Sequence, residues 1–344
     1  MPDGEFESED ELEDTGTSSE PVRIKVKITK SADNISIDYT GTDKQVKGPV
    51  NAPFGVTVAG VYYTVRCVTD PAIPTNEGFS RPIEISAPTG TLLNPVFPAP
   101  VAAGNVETSQ RNVDALLKAF AKMIPERICA AGQGTMNNVT VGGEEPALGR
   151  WSFYETIGGG MGAATAVDGA DGVQVHMTNT MNTPIETIEN SYPIRLIKYG
   201  LRTDSGGPGK WRGGVGIERT WILIGDKASL SVLAERNKIP PWGLEGGKPG
   251  GLGEYVLMSQ DGKKKRLPSK SSSQMRSGDT LFIKTPGGGG YGNPLDRDPQ
   301  LVMKDVLDGL VSVEAARREY GVAIDPKNIK IDWDMTQRLR RQSM

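Results

Sequence analysis

The chain has 344 residues, one histidine, two cysteines and a formal net charge of −3. One histidine cannot build a His-based metal site or a histidine relay, and the mild charge gives no case for nucleic acid. No run of about 18 apolar residues is present, which excludes a helical membrane span, and the start has neither a basic nor an apolar signal region, so the expected location is cytoplasmic.

Residues 1–20 hold nine acids and no base, which leaves 39 bases against 33 acids in the remainder. This start reads as a solvated acidic segment, or as one that packs on something absent from this chain. Val22–Ile28 then alternates apolar with basic residues, and Ile35, Ile37 and Tyr39 repeat the period after a short polar turn. That pattern predicts a β-hairpin with one wet face. Phe54–Val68 predicts a buried helix, and Arg81–Ala87 a short strand closed by Pro88 and Gly90.

Thr108–Ile124 carries the clearest helical period, through Val113, Leu116, Leu117 and Phe120. Thr108 or Ser109 is the expected cap and Pro125 the stop. Strands are expected at 139–141, 151–156, 192–199, 217–224, 228–233, 254–258 and 281–283. Asp261-Gly262 marks a hairpin turn with a solvated basic run after it. Leu301–Leu310 and Val313–Tyr320 predict two helices, the second capped by Ser312, ahead of a charged, peripheral tail. Cys67 and Cys129, in apolar contexts without a CxxC, read as two buried reduced thiols.

Glycine is over-represented, with 43 copies against a usual share of about 7 %. Fourteen of them fall between Gly200 and Gly253, which argues for turns and short strands there. Gly158–Gly160 with Gly162, and Gly287–Gly290, lack the spacing of a phosphate-binding loop. Close backbone packing or a mobile loop is the better reading. The order of elements predicts an α+β fold, mostly antiparallel and glycine-rich, with a few packed helices and a small helical C-terminal tail. The expected division is 1–20, a core over 21–292 with a candidate sub-boundary near 145–150, and a helical extension over 293–344.

Three segments could carry chemistry. At the start of the strongest helix, Arg111 could clamp an anion and Glu107 could serve as a base or metal ligand. A helix cap with a surface Arg–Glu pair explains the same residues. Asn137 and Asn138 could bind amide edges or simply satisfy a turn. His176 could be a general base or an electrophile toward a developing oxyanion, with Asn179 and Asn182 orienting an amide and Glu186 orienting the imidazole or binding a substrate amine. A lone histidine is more often structural.

In order, the chain reads Gly48-Pro-Val-Asn-Ala-Pro53, Ala103-Gly-Asn-Val-Glu-Thr-Ser-Gln-Arg111, Gln133-Gly-Thr-Met-Asn-Asn138, His176-Met-Thr-Asn-Thr180, Asn182-Thr-Pro-Ile-Glu186, Asp204-Ser-Gly-Gly-Pro-Gly-Lys-Trp-Arg-Gly-Gly214, Pro241-Trp-Gly-Leu244 and Thr285-Pro-Gly-Gly-Gly-Gly-Tyr-Gly292. This series resembles the hydantoinase B/oxoprolinase family, the B-type subunits of ATP-dependent N-methylhydantoinases and 5-oxoprolinases, matched over their central and C-terminal part. The resemblance implies opening of a cyclic amide together with a hydantoinase A-type subunit that binds ATP. It implies a divalent metal in an N-terminal region this chain does not match, supplied by another polypeptide or lost by truncation, and so no metal or ATP on this chain. It implies an exposed apolar surface where that region would pack. Within the matching motifs, His176 and Glu107 are the candidate catalytic residues, and Arg111, Asn137, Asn138, Asn179 and Glu186 the candidate substrate-binding ones. An acetone-carboxylase-like α-subunit fragment and a non-catalytic assembly remnant are the alternatives.

Overall fold

The computed structural model describes residues 1–342. Strands β1 (Gly4–Leu12), β2 (Val22–Ser31), β3 (Asn34–Asp38) and β4 (Ile83–Ser86) form one sheet in that order, antiparallel except for the parallel β3–β4 pair. The acidic start is therefore an edge strand and not a solvated segment. Its alternation turns Phe6, Ser8, Asp10 and Leu12 inward and Glu5, Glu7 and Glu9 outward. Glu5, Glu7 and Glu9 pair diagonally across the strands with Lys27, Lys25 and Arg23, at N···O distances of 3.9, 3.2 and 3.9 Å. The wet basic face of the expected hairpin is what receives them; each exposed pair contributes about 0.2–1 kcal/mol.

Helix α3 (Ser109–Ala121) lies on β1 and β2, and α1 (Phe54–Val68) packs on α3, with the short α2 (Glu77–Ser80) between them in sequence. Val61, Val65, Val113, Leu116 and Phe120 pack there against Ile24, Val26, Ile28 and Ile37. Lys118 and Lys122 of α3 donate to the Glu9 and Glu7 carbonyls at 3.1 and 2.6 Å, which blunts the free strand edge. The chain enters α3 through a π turn, Gly104–Thr108, and neither Thr108 nor Ser109 caps it. Both hydroxyls donate to carbonyls instead, Thr108 to Val50 and Ser109 to Asn105. Cys67 lies exposed on α1 and Cys129 is half-buried, both free, so the expectation of two buried thiols is corrected for Cys67.

The next elements are β5 (Asn138–Glu145), β6 (Gly149–Thr156), α4 (Ile185–Ser191), β7 (Ile194–Leu201), β8 (Ile217–Leu223), β9 (Lys227–Leu233), β10 (Glu254–Met258), β11 (Lys264–Arg266), β12 (Lys270–Arg276) and β13 (Thr280–Lys284). They form two antiparallel sheets, ordered β12-β9-β5-β6 and β11-β10-β13-β8-β7. Val141, Phe153, Trp221, Leu230, Tyr255 and Leu281 belong to one shared core. Residues 145–150, the candidate boundary, form the tight turn of hairpin β5–β6. Strand β12 escapes the sequence reading because Lys270-Ser-Ser-Ser-Gln-Met-Arg276 has no apolar alternation; its register with β9 places it.

The glycine runs pack backbone against backbone. Gly214 N–H donates to Met161 O, Gly288 N–H to Gly214 O and Gly207 N–H to Gly288 O, each at 2.8 Å. A Cβ on Gly160 would lie 1.9 Å from Gly214 O and 2.3 Å from Gly288 N. Only glycine permits that approach. These segments are a close-packed bundle of extended chain, not mobile loops.

Beyond it lie α5 (Pro299–Leu307), α6 (Val313–Tyr320), β14 (Ile324–Asp325), β15 (Lys330–Ile331) and α7 (Trp333–Gln342). Ser312 caps α6 by accepting from Ala315 N–H at 3.0 Å. The tail expected to be peripheral is helix α7, whose Arg340 donates to Arg297 O at 2.6 Å. The last two positions of the expected extension lie outside the described residues. No described helix is long and apolar enough to cross a membrane.

Candidate active site

The π turn and α3 present Glu107, Gln110, Arg111 and Asp114 on one face, since residues three and four apart are neighbours on a helix. All four are fully buried. Four segments meet this face: Asp10 of β1, residues 133–138, Glu235-Arg236 after β9, and the loop before α4.

Glu107 Oε1 accepts from Asn138 Nδ2 at 2.8 Å, and the same Nδ2 donates to Leu233 O at 2.7 Å. Asn138 Oδ1 accepts from the Tyr154 hydroxyl at 2.7 Å. Glu107 Oε2 has no hydrogen-bond partner. Burial, and then the nearby Glu235 carboxylate, push the Glu107 carboxyl well above its ordinary range. Folded chain thus keeps a proton that unfolded chain loses, and stability falls as pH rises above the usual carboxylate value. Glu107→Gln keeps the shape and the acceptor without the ionisation. Relative to wild type it is expected to gain stability between about pH 5 and about pH 8. Urea denaturation at the two pH values checks this; an unchanged difference contradicts it.

Glu235 belongs to a second buried group. Lys270 Nζ contacts Glu235 Oε1 and lies 3.3 Å from Asp14 Oδ1, which ties the end of the acidic segment to β12. Burial pushes Glu235 up to about 7, opposed by Lys270 and reinforced by Glu13.

Arg111 corrects both sequence readings, since it is neither on the surface beside Glu107 nor open to a ligand. Its Nη2 lies 3.2 Å from Asp10 Oδ2 and contacts Asp114. Arg236 Nη2 lies 2.9 Å from Asp114 Oδ2 and 3.4 Å from Asp10 Oδ2. Burial works against the Arg111 charge, and Asp10 and Asp114 outweigh it, so its pKa rises. Gly134, at φ +61°, lets the chain pass: a Cβ there would meet Arg236, Asp114 and Arg111 at 2.7–3.0 Å.

His176 sits behind this cluster with φ 55°, an uncommon conformation for a non-glycine residue. Its Nε2 is 3.6 Å from Asp114 Oδ1 and its Nδ1 is 3.4 Å from the Tyr63 hydroxyl. The carboxylate facing the imidazole is therefore Asp114. Glu186 is exposed on α4, and Asn179 is exposed on the loop. Asn137 adopts φ 48° and is enclosed, donating to Gln133 Oε1 and Ile157 O and accepting from Tyr255 at 2.8 Å. Turn chemistry accounts for it.

A cavity of about 320 Å³ is walled by Asn105, Met136, Tyr154, Thr156, Met177 and Thr180, and Tyr154 ties that wall to the buried Asn138 and Glu107. Glu155, paired with the buried Arg219, accepts from Thr183 N–H and ties the loop to β6. His176 is not among its walls, and its ring lies against Tyr63. Among the described residues, none of the seven candidates lines this cavity; Glu107 and Asn138 connect to it through Tyr154, while His176, Asn179, Glu186, Asn137 and Arg111 have no such link. Sequence reasoning missed Tyr154, Asp10, Asp114, Arg236 and Tyr63. Asp114, one helical turn after Arg111, is the one whose spacing was a usable signal. Among the described residues no group of three or more His, Cys, Asp or Glu is arranged to hold a metal ion. The divalent metal implied by the resemblance finds no donor set here, and no step is drawn through it.

The hydantoinase B/oxoprolinase family model matches residues 1–294. The putative B-type subunit of a D-/L-hydantoinase from a Pseudomonas strain is 37 % identical, covering 99 % of this chain and 59 % of its own length. The crystal structure of an ATP-dependent caprolactamase from Pseudomonas jessenii superposes with a TM-score of 0.87 at 28 % identity, over 99 % of this chain and 60 % of that one. A nucleotide-free acetone carboxylase structure reaches 0.88 at 20 % identity, over 99 % and 52 %, a likeness of fold alone. The chain spans between 20 % and 59 % of the length of the curated relatives it matches. On its sequence and on its fold, this chain belongs to the hydantoinase B/oxoprolinase family.

Proposed function

We propose that this chain is the B-type component of an ATP-dependent enzyme that opens cyclic amides of the hydantoin or 5-oxoproline kind, together with an ATP-binding A-type subunit. The observation that carries the reading is the family match over residues 1–294, seconded by the caprolactamase likeness along nearly the whole chain. An unstrained five-membered amide is a poor electrophile. Phosphorylation of its oxygen, on the A-type subunit, gives an imidate-like carbon and a better leaving group.

The residues of this chain supply recognition. Both Asn138 Nδ2 hydrogens are committed, to Glu107 and Leu233, so its Oδ1 must face Tyr154. The Tyr154 hydroxyl must then donate to Asn138, which leaves its oxygen as an acceptor at the cavity wall. A ring N–H is the matching donor, which the O-phosphorylated ring offers when its imidate nitrogen keeps the proton. Glu107 and Asn138 are positioning residues in this scheme, and His176 fixes the loop from behind. Tyr154→Phe should lower kcat/KM for a cyclic amide about tenfold, roughly 1.4 kcal/mol, with folding intact.

Co-expression with an A-type subunit and any polypeptide needed to complete the assembly tests the reading. ATP-dependent consumption of hydantoin, 5-oxoproline or caprolactam supports it. Turnover with acetone and bicarbonate alone overturns it in favour of the carboxylase-like alternative, and turnover of nothing overturns it in favour of a non-catalytic piece.

A further inference from the structure

A second cavity, of about 410 Å³, lies between α1 and α2, away from the Tyr154 wall. Its size suits a small organic ligand. Three of its walls are aromatic: Tyr62 and Phe79 meet edge to face with centroids 5.9 Å apart, and Tyr63 stands beside them. Tyr63 is held by His176, through the 3.4 Å contact and an edge-to-face ring packing at 5.9 Å. His176 is in turn set by Asp114. The strained backbone of the single histidine thus fixes one wall of this cavity.

Two opposite charges line the same space, Arg66 and Glu77. The Arg66 guanidinium is positioned by donating from Nη2 to Pro71 O at 2.8 Å and by lying 5.9 Å from the Phe79 centroid. Its Nη1 is buried with no partner. Among the described residues neither Arg66 nor Glu77 forms an ion pair, with each other or with anything else. Arg66 is half-buried and lines the space, and a guanidinium oriented in this way suits a carboxylate. An unpaired carboxylate across an apolar floor suits an ammonium.

We propose that this cavity binds a free amino acid, with its carboxylate on Arg66, its ammonium on Glu77 and its apolar body against Tyr62, Tyr63 and Phe79. Hydrolysis of a lactam such as 5-oxoproline or caprolactam creates one carboxylate and one amine on the same molecule, whereas a hydantoin gives a carboxylate and an uncharged ureido group, so the match is to the lactam substrates. On the reading given above, and resting on it, the occupant is the ring-opened product of the enzyme's own reaction. The zwitterion preference stands without that reading.

Calorimetric titration of the whole chain, without ATP or partner, tests the site. The probes are 6-aminohexanoate and phenylalanine, with hexanoate and hexylamine as single-charge controls. The zwitterions should bind saturably and about tenfold more tightly than either control. Arg66→Gln and Glu77→Gln should each weaken them about five- to tenfold, with unchanged thermal unfolding. Tyr63→Phe should weaken them less, since the ring remains. Absence of saturable zwitterion binding overturns the proposal, as does hexanoate binding equally well or both Gln variants retaining wild-type affinity. If the reconstituted enzyme opens rings while the zwitterions do not bind, the site falls and the function stands. If they bind while no ring is opened, the site stands and only its assignment to the reaction product falls.

Discussion

Gly160→Ala is expected to destabilise the chain by on the order of 4–5 kcal/mol, or to prevent folding. Overpacking a core by a methyl group commonly costs about 1–3 kcal/mol, because side chains shift aside. Here the added Cβ would lie 1.9 Å from Gly214 O and 2.3 Å from Gly288 N, and both atoms are backbone. Those strands of the bundle are hydrogen-bonded to each other, Gly288 N–H to Gly214 O at 2.8 Å, so neither can move alone. Gly200→Ala is the control: its Cβ meets nothing within 4 Å, and the change should be neutral within about 0.5 kcal/mol. Equilibrium unfolding in urea measures both. Equal stabilities for the two variants contradict the packed-bundle account.

Asp114→Ala is expected to cost about 3–5 kcal/mol. Asp114 is the shared anion of two guanidiniums, Arg111 and Arg236, all fully or almost fully buried. Removing it leaves two enclosed cations with Asp10 as their common partner, at 3.2 and 3.4 Å. A buried ion pair need not add net stability, but a buried charge stripped of its partner is costly. The exposed Arg150–Glu144 pair, at 3.9 Å with side chains 91 % and 72 % accessible, gives the contrast. Arg150→Ala should fall within about 0.5 kcal/mol of wild type. A loss below about 1 kcal/mol for Asp114→Ala would mean the cluster is not the enclosed network described here.

Elements with an apolar period were legible in the sequence: the hairpin β2–β3, helix α1 to its end residues, and α3 apart from its π-turn entry. β1 was not. Glutamates at 5, 7 and 9 look like a solvated run until the cations of β2 are placed opposite them, and two of its inward positions, Ser8 and Asp10, are polar. Their burial is decided by α3 and by Arg236, more than a hundred positions away in sequence. The same distance problem governs the site. Motif order located Glu107, Asn138 and His176, but not which side of the loop each would face. Arg111 looked like a free clamp because one of its aspartates, Asp10, comes from a distant strand, and the other, Asp114 one turn on in the same helix, was passed over. Tyr154, the residue closest to the chemistry proposed, carries no motif at all; it is simply an outward position of β6 opposite Thr140, and its hydroxyl reaches Asn138 two residues away on β5.

Coupling of ATP use to ring opening in the reconstituted enzyme tests the central claim most directly. With this chain present, ADP formation and loss of hydantoin, 5-oxoproline or caprolactam should rise together and in proportion. With Tyr154→Phe both should fall together by about tenfold at limiting substrate. ATP consumption that proceeds equally without this chain, or ring opening indifferent to Tyr154, would contradict the account.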